Sequence, residues 1–135
     1  MIAFDSPAVW RSRGRGLSMG TVAPEGRLVH LTGQVAWDAD ERLVGPGDVA
    51  AQAERAFDNI AALLAVVGGR LSDIVQLTTY HTAPEQLPAI QAVRTRRVPH
   101  GPASTSVVVA GLGDPGFLVE LTPVAVVPAD RFRQP

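Results

Sequence analysis

The sequence predicts an α+β domain in which a single mixed β-sheet carries two helices on one face, in the order β-β-α-β-α-β-β. Three observations support this prediction: a long amphipathic helical pattern, a series of β-branched runs separated by Gly and Pro turns, and a second, shorter helical segment between two such runs. The chain has 135 residues, the size of one domain, so we expect residues 1–135 to form a single unit.

The first part of the chain is predicted to contain a lead-in and two strands. Residues 1–15 are polar and rich in arginine and show no regular period, so we expect an irregular lead-in. A short first strand is expected within residues 17–22. Residues 27–32 alternate in the manner of a second strand, which ends at Gly33 and extends past a bulge into residues 34–37.

The first helix has the strongest pattern in the chain. Asp48 follows a Pro-Gly turn and is the expected N-cap, because its carboxylate can accept a hydrogen bond from the first turn. Gly68-Gly69 should end the helix, since glycine tolerates the left-handed conformation that follows a last turn. Between these limits, apolar residues recur on one helical face at Val49, Ala53, Ala56, Phe57, Ile60, Leu63, Leu64 and Val67.

A strand and a second helix follow. Residues 73–82 are rich in β-branched side chains, which is typical of a strand. Thr82-Ala83-Pro84-Glu85 matches a capping box. The helix after it should begin near Leu87 and run to about Arg97, because Pro88 is tolerated only in a first turn.

The last two strands predict an oligomer. They are expected over residues 104–112 and 117–127, with residues 128–135 as a polar tail. Val107, Val108 and Val109 are consecutive, so the sheet is apolar on both faces. Because the two helices can cover only one face, a homo-oligomer that covers the other is the simplest arrangement.

Composition argues against several classes of function. A net charge of −1 attracts neither nucleic acid nor a membrane surface, and no apolar run approaches the roughly 18 residues of a membrane span. There is no cysteine, hence no disulfide, thiolate nucleophile or Cys-type zinc site. The N-terminus does not resemble a signal peptide, and no phosphate-binding loop is present, so we expect a cytoplasmic protein.

The three histidines do not indicate a metal site. They lie in different predicted elements, and none has a second histidine at metal-ligand spacing. We therefore expect strand-face or loop histidines and no metal, with the one before the capping threonine at the surface or the rim of a cleft. They are His30, His81 and His100.

One carboxylate interrupts an apolar strand. Glu120 lies within Phe117-Leu118-Val119-Glu120-Leu121, where an unpaired buried charge would cost several kcal/mol. The residue must therefore be solvated by a cleft, paired or functional. Two readings stay open: a carboxylate that positions and activates a water molecule, or one that pairs with an arginine for stability.

Five segments of the chain resemble, in the same order, segments of the RidA/YjgF family of reactive-intermediate deaminases, over about residues 17–127. The segments are Leu31-Thr32-Gly33-Gln34-Val35, the first-helix pattern of Gln52 and Asn59, Val67-Gly68-Gly69 with residues 73–80, Pro102-Ala103, and Val119-Glu120-Leu121. The resemblance implies a chorismate-mutase-like fold and a homotrimer with small-molecule clefts between neighbouring subunits. It also implies hydrolysis of imines and enamines, such as 2-aminoacrylate, to a carbonyl product and ammonia, with no metal or organic cofactor.

The resemblance also assigns the site residues. Glu120 takes the place of the family's acid, which positions or activates the attacking water. Gly33 matches a glycine whose backbone faces the ligand, Leu17 falls where many members have a ligand-facing tyrosine, and Gln91 falls near an asparagine of the second helix. Substrate contacts are therefore expected from Gly33, Ser104, Thr105, Ser106, Leu17 and Gln91.

The chain departs from the family at Ser104. The family reads Pro-Ala-Arg-Ser/Thr there, and its arginine grips the substrate carboxylate. A hydroxyl lacks the charge and the bidentate fork of a guanidinium, and such a loss costs roughly 1.5–3 kcal/mol. Ser104, Thr105 and Ser106 either bind a neutral polar ligand or are ordinary strand residues, and Leu17 with Ser104 indicates a less polar, less cationic pocket.

A basic cluster at the end of the second helix offers a replacement for the arginine. One of Arg94, Arg96 and Arg97 could reach a carboxylate, although such a run is more often a solvated helix end. Three functions follow: a divergent deaminase-like hydrolase, a non-catalytic trimeric ligand-binding protein, and a ribonuclease, an activity attributed to some relatives. The near-neutral charge argues against the third.

Overall fold

A computed structural model describes all 135 residues. The helices are α1 (Val49–Val66) and α2 (Leu87–Arg97). Two short 3-10 turns lie at Leu71–Asp73 and at Pro84–Gln86, the second directly before α2. The strands are β1 (Ile2–Phe4), β2 (Gly20–Val22), β3 (Arg27–His30), β4 (Ile74–His81), β5 (Ala103–Val108) and β6 (Val119–Val127). From β2 onward the order is the predicted one.

The first strand corrects the expectation of an irregular lead-in. β1 pairs antiparallel with β2, with Phe4 opposite Gly20, and the two strands form a separate two-stranded sheet. The Phe4 ring lies where a side chain at residue 20 would be, so the aromatic group covers the glycine. A three-residue strand is too short for its sequence to show the alternation that predicts strands.

The main sheet has four strands in the order β3-β6-β4-β5. β6 is antiparallel to both of its neighbours, and β5 is parallel to β4, with α2 as the crossover connection. In this register Tyr80 lies between Glu120 and Val107, while Leu77 lies beside Ser104. The register fixes which candidate site residues share a face of the sheet.

Both helices cover the same face of this sheet, as predicted. Along β4, Leu77, Thr79 and His81 are buried toward the helices, whereas the residues between them are partly or fully exposed on the other face. The core between the layers consists of Ala53, Ala56, Phe57, Ile60, Leu64, Ile74, Leu77, Ile90, Val93, Val98, Val119, Leu121 and Ala125. Neither helix combines the length and the apolar character needed to cross a membrane.

The predicted limits of α1 are confirmed. The Asp48 carboxylate accepts a hydrogen bond from the Ala51 amide at 3.0 Å. Gly68 follows the helix with φ of 76°, and its amide donates to the Ala65 carbonyl at 3.1 Å. The glycine is needed here because an L side chain rarely adopts this backbone conformation.

The cap before α2 differs from the prediction. Gln86, rather than Glu85, closes it: its Oε1 accepts hydrogen bonds from the amides of Thr82 and Ala83, each at 3.0 Å, and its Nε2 donates to Thr82 Oγ1 at 2.9 Å. The extra 3-10 turn moves the capping position by one residue. α2 then begins at Leu87 with Pro88 in its first turn, as expected.

Two polar side chains of α1 hold the loops around the site. Gln52 is fully buried: it donates to the carbonyls of Gly45 (3.1 Å) and Gly116 (2.9 Å) and accepts from the amide of Leu118 (2.9 Å). Asn59 donates to the carbonyls of residues 35 and 37, at 3.0 and 2.9 Å. The Gln52 and Asn59 side chains of the first helix therefore have a structural function, since both donate hydrogen bonds to backbone carbonyls of neighbouring loops.

Candidate ligand-binding site

Glu120 and Gly33 come together on the sheet face that the helices leave open. The backbones of Gln34 and Leu121 exchange two hydrogen bonds, at 2.8 and 2.9 Å, which place Gly33 beside the half-buried Glu120. A Cβ at residue 33 would collide with the Glu120 carboxylate and lie 2.9 Å from Thr122 Oγ1. Only a glycine leaves this carboxylate where it is.

The Glu120 carboxylate has no basic partner within the chain. The five ion pairs of the structure involve other acidic residues. The reading of Glu120 as a structural partner of an arginine therefore finds no support in a single subunit. Its neighbours on the open face are the ring of Tyr80 along one row and, in the next row, the register partners Thr105, Thr78 and Thr122.

Ser104 lies on the opposite face of the sheet. It pairs with Leu77, whose side chain is buried under the helices. Its hydroxyl accepts a hydrogen bond from Arg94 Nη1 at 2.9 Å. Ser106 follows on the same face but is exposed, whereas the exposed Thr105 belongs to the open face. The three candidate strand residues therefore do not act as one group.

Arg94 corrects the expectation of a solvated helix end. Its side chain is only 1% exposed, and its Nη2 donates to the Arg15 carbonyl at 2.7 Å. Burial lowers the pKa of the Arg94 guanidinium below its usual value, and no carboxylate offsets that effect. A guanidinium that reaches from α2 therefore lies beside Ser104, where the sequence predicted a less cationic environment.

The other two arginines of the cluster have structural partners. Both Arg96 and Arg97 bind the Glu54 carboxylate of α1, and Arg97 also binds Asp58 at 2.7 Å. These contacts join the two helices across their exposed side. Arg94 is therefore the one member of the cluster whose charge is not neutralised by an acidic side chain.

Leu17 lies close to the Ser104 segment. The next residue, Ser18, pairs with Ala103 and hydrogen-bonds with its amide to the Pro102 carbonyl (3.4 Å) and with its hydroxyl to the Gly101 carbonyl (2.6 Å). Leu17 and Ser18 line a small pocket of about 150 Å³ together with Ala3, Phe4, Asp5 and Ser12. Leu17 therefore lies near the strand segment that contains Ser104, and its role as a ligand contact stays a prediction.

Gln91 belongs to the same side of the molecule. It is half-buried on α2, three residues before Arg94 and therefore on the same helical face. The candidate residues thus form two groups: Gly33, Glu120 and Thr105 on the open face, and Leu17, Gln91 and Ser104 on the helix side. Within one chain the sheet separates the two groups.

The histidines have backbone partners or face solvent. His81 is 2% exposed with its Nδ1 2.8 Å from the Ala83 carbonyl, which corrects the expected rim position. His100 Nε2 lies 2.8 Å from the Ile74 carbonyl, and His30 is exposed. No group of three or more His, Asp or Glu side chains is placed to hold a metal ion.

A groove that the sequence did not indicate is lined by Gly33 and the residues that follow it. Its volume is about 560 Å³, between residues 33–39 and the outer face of α1. Trp37 and Leu63 supply its apolar walls and Arg55 its cation. Trp37 is fixed there by an edge-to-face contact with Phe117, with ring centroids 5.0 Å apart.

A family model and curated proteins match most of this chain. The family model described as endoribonuclease L-PSP matches residues 18–127. The RutC family protein YjgH of Escherichia coli (strain K12) is 35% identical over 106 residues, which are 76% of this chain and 78% of YjgH. Protein DfrA of Myxococcus xanthus is 31% identical over 101 residues, 75% of this chain and 77% of DfrA.

Solved structures agree with these sequence matches. The Rid family protein YyfB from Yersinia pestis superimposes with a TM-score of 0.86 at 29% identity, covering 93% of this chain and 98% of YyfB. RidA from the Antarctic bacterium Psychrobacter sp. PAMC 21119 gives a TM-score of 0.70 at 25% identity, covering 93% and 94% of the two chains. The likeness extends over nearly the whole fold.

Proposed function

The chain belongs to the RidA/YjgF family, to which the endoribonuclease L-PSP model corresponds, and on this premise we propose that it is a homotrimeric hydrolase of small imines or enamines. The reaction takes place in clefts between subunits and yields a carbonyl product and ammonia. The observation that carries the proposal is the contact of the unpaired Glu120 carboxylate with the side-chain-free backbone of Gly33. The glycine lets an unpaired base lie against the backbone on the open face of the sheet.

Glu120 is the general base in this mechanism. Its ionised carboxylate accepts a proton from a water molecule while the water oxygen bonds to the imine carbon. The carboxylate returns this proton to the nitrogen, which gives a carbinolamine. It then takes the hydroxyl proton of the carbinolamine and delivers it to the nitrogen as the carbon–nitrogen bond breaks, so that the carbonyl forms and ammonia leaves. An enamine enters by first taking a proton on carbon and losing one from nitrogen, which converts it to the imine.

The open face of the sheet supports the trimer. Leu28 is 60% exposed and Val107 39% exposed, and the register places both on the face opposite the helices. Beyond Ala103, which pairs with Ser18, β5 is also an edge strand with unpaired backbone groups along one side. A neighbouring subunit whose β5 edge lies against this face would bring its Arg94 and Ser104 toward Glu120, uniting the two groups of site residues in one cleft.

The test is a keto-acid and ammonia release assay. Imines are generated in situ from several amino acids by an amino-acid oxidase, with and without the protein. We expect acceleration over the spontaneous rate, and at least a 100-fold loss of the protein-dependent rate in Glu120→Gln, because general-base catalysis contributes about 10²–10⁴-fold. Glu85→Gln, at an exposed carboxylate, should keep the wild-type rate. Equal rates in wild type and Glu120→Gln would remove Glu120 from the mechanism.

A second candidate is a trimeric binding protein without catalysis. Serine at position 104, in place of the family's arginine, favours it, because the residue that grips the substrate carboxylate in the family is absent there. A small molecule that binds such a protein would raise its melting temperature, and no ammonia would be released. The release assay and a thermal-shift measurement on the same imines and keto acids therefore separate the two candidates.

A further inference from the structure

Arg94 is a buried cation without an anion. The guanidinium has five N–H donors. Nη1 donates to the Ser104 hydroxyl and Nη2 to the Arg15 carbonyl, both neutral oxygens, while the buried Nε has no partner. An unneutralised charge and an unpaired N–H both cost folding free energy, and a bound anion at this guanidinium would remove both costs.

The unfilled part of this guanidinium has the geometry of a carboxylate site. Nε and Nη2 form one edge of the planar group, and two parallel N–H bonds from such an edge match the two oxygens of a carboxylate. The remaining nitrogen, Nη1, donates to the Ser104 hydroxyl, and this hydrogen bond fixes the plane of the guanidinium. At this edge the only hydrogen bond is the one from Nη2 to the Arg15 carbonyl.

The segment that holds the Arg15 carbonyl can move at low cost. Residues 2–15 are exposed except for Ser12, and Arg13, Gly14 and Gly16 have positive φ angles. A segment with few buried contacts opens with a small free energy. The pocket of about 150 Å³ lined by Leu17 and Ser18 lies beneath the same segment.

We propose that Arg94 is the anion-binding residue of this protein and that its ligand is a small carboxylate, such as a 2-oxo or 2-imino acid, held by Nε and Nη2 in place of the Arg15 carbonyl. The inference rests on the proposed function for the position of the cleft. It adds to that function that the substrate carries a carboxylate, although serine stands where the family has arginine. The guanidinium that binds this carboxylate belongs to Arg94 of helix α2 and not to a strand residue.

The test compares pyruvate with its neutral amide, pyruvamide, by isothermal titration calorimetry on the full chain. We expect wild type to bind pyruvate more tightly than pyruvamide, and Arg94→Gln to lose pyruvate affinity by about 10- to 100-fold, the effect of one charged hydrogen-bonding partner. Arg94→Lys, which keeps the charge without the fork, should fall between them. The matched control is Arg96→Gln, on the same helix, which should bind pyruvate as wild type does.

Nuclear magnetic resonance supplies a readout on the wild-type protein alone. The Arg94 Nε–H signal, assigned by through-bond correlations from the Arg94 backbone, should shift on addition of pyruvate and stay in place with pyruvamide. A fixed Nε–H signal, equal affinities for the two probes, or unchanged pyruvate affinity in Arg94→Gln would overturn the inference.

The two proposals fail in different ways. Arg94-dependent pyruvate binding without ammonia release would keep the anion site and remove the hydrolase. Ammonia release that requires Glu120 and is unchanged in Arg94→Gln would keep the hydrolase and remove the anion site.

Discussion

Gly33 and Glu120 show how one backbone position can set the place of a functional group. The carboxylate lies in the space that any other residue at position 33 would fill with its Cβ. The collision involves the far end of a flexible side chain, so a substitution moves the carboxylate instead of breaking the fold. At the residue scale, then, activity and stability can be changed separately at this site.

We predict that Gly33→Ala lowers the imine-hydrolysis rate by at least 10-fold while the melting temperature falls by only a few degrees, since about 1 kcal/mol corresponds to roughly 4 °C or less in a domain of this size. Gly111→Ala is the matched control, because a Cβ there meets nothing within 4 Å. Ammonia release and thermal denaturation measure the two effects. A Gly33→Ala protein with the wild-type rate would contradict the placement of the base.

Single residues were also the hardest to predict from the sequence. Glu120 could be identified because a charge in an apolar strand is unusual. Arg94 could not be separated from Arg96 and Arg97, since its burial depends on Arg15, which is 79 residues away along the chain. The expected position of His81, at the surface or the rim of a cleft, is wrong for a similar reason: the face that His81 takes on β4 is set by the register with β6.

At the scale of elements, the two helices are joined by charges as well as by their apolar faces. Glu54 of α1 binds both Arg96 and Arg97 of α2. Partial burial raises the pKa of the Glu54 carboxyl, but the two guanidinium groups outweigh it and hold that pKa below its usual value. The folded state therefore prefers the ionised carboxylate.

The sign of the resulting pH dependence follows. With a pKa depressed on folding, Glu54 contributes stability above its unfolded value of about 4.3, and this contribution is lost as the pH falls through the lower, folded value. We predict that Glu54→Gln lowers the free energy of unfolding by about 1 kcal/mol at pH 7 and that the difference from wild type shrinks as the pH drops below about 4. Urea unfolding at several pH values measures it. A difference that stays constant with pH would contradict the ionic origin.

The long helix α1, whose apolar residues repeat regularly, was predictable from the sequence, and the three-residue strand β1 was not. The limits of α1 followed from Asp48 and Gly68, because the local hydrogen bonds decide them. β1 has three residues and is set by its pairing with β2, which the local sequence does not encode. The last two strands are shorter than predicted, because β5 ends at Val108 and β6 begins at Val119. Just before β6, Gln52 bonds to the backbone of Gly116 and Leu118, a contact between distant residues that the local sequence does not show.

At the scale of the whole molecule, the two groups of candidate site residues lie on opposite faces of the sheet, so a single chain and an oligomer differ in the sites that they can form. Glu120 is on one side of the sheet and Arg94 on the other. Neither a substrate nor a side chain can bridge the sheet, so both groups can act on one molecule only in a cleft between copies. Catalysis in the proposed form therefore requires the oligomer.

We predict a solution mass of three times the 14.2 kDa of the chain. Val107→Asp should shift the protein toward monomers and lower the ammonia-release rate with it, because the aspartate would place a charge on the apolar open face. Val66→Asp is the control: this valine is 58% exposed at the end of α1, away from that face. Sedimentation equilibrium measures the masses, and a monomeric wild type with full activity would contradict the cleft.

The position of β6 in the sheet has a consequence for how the chain folds as it is synthesised. β6 is the last element in sequence, yet it lies between β3 and β4, which do not pair with each other. Until Val127 has left the ribosome, the four-stranded sheet lacks its central strand. The Glu120 site therefore forms only late in synthesis, through contacts between distant parts of the chain.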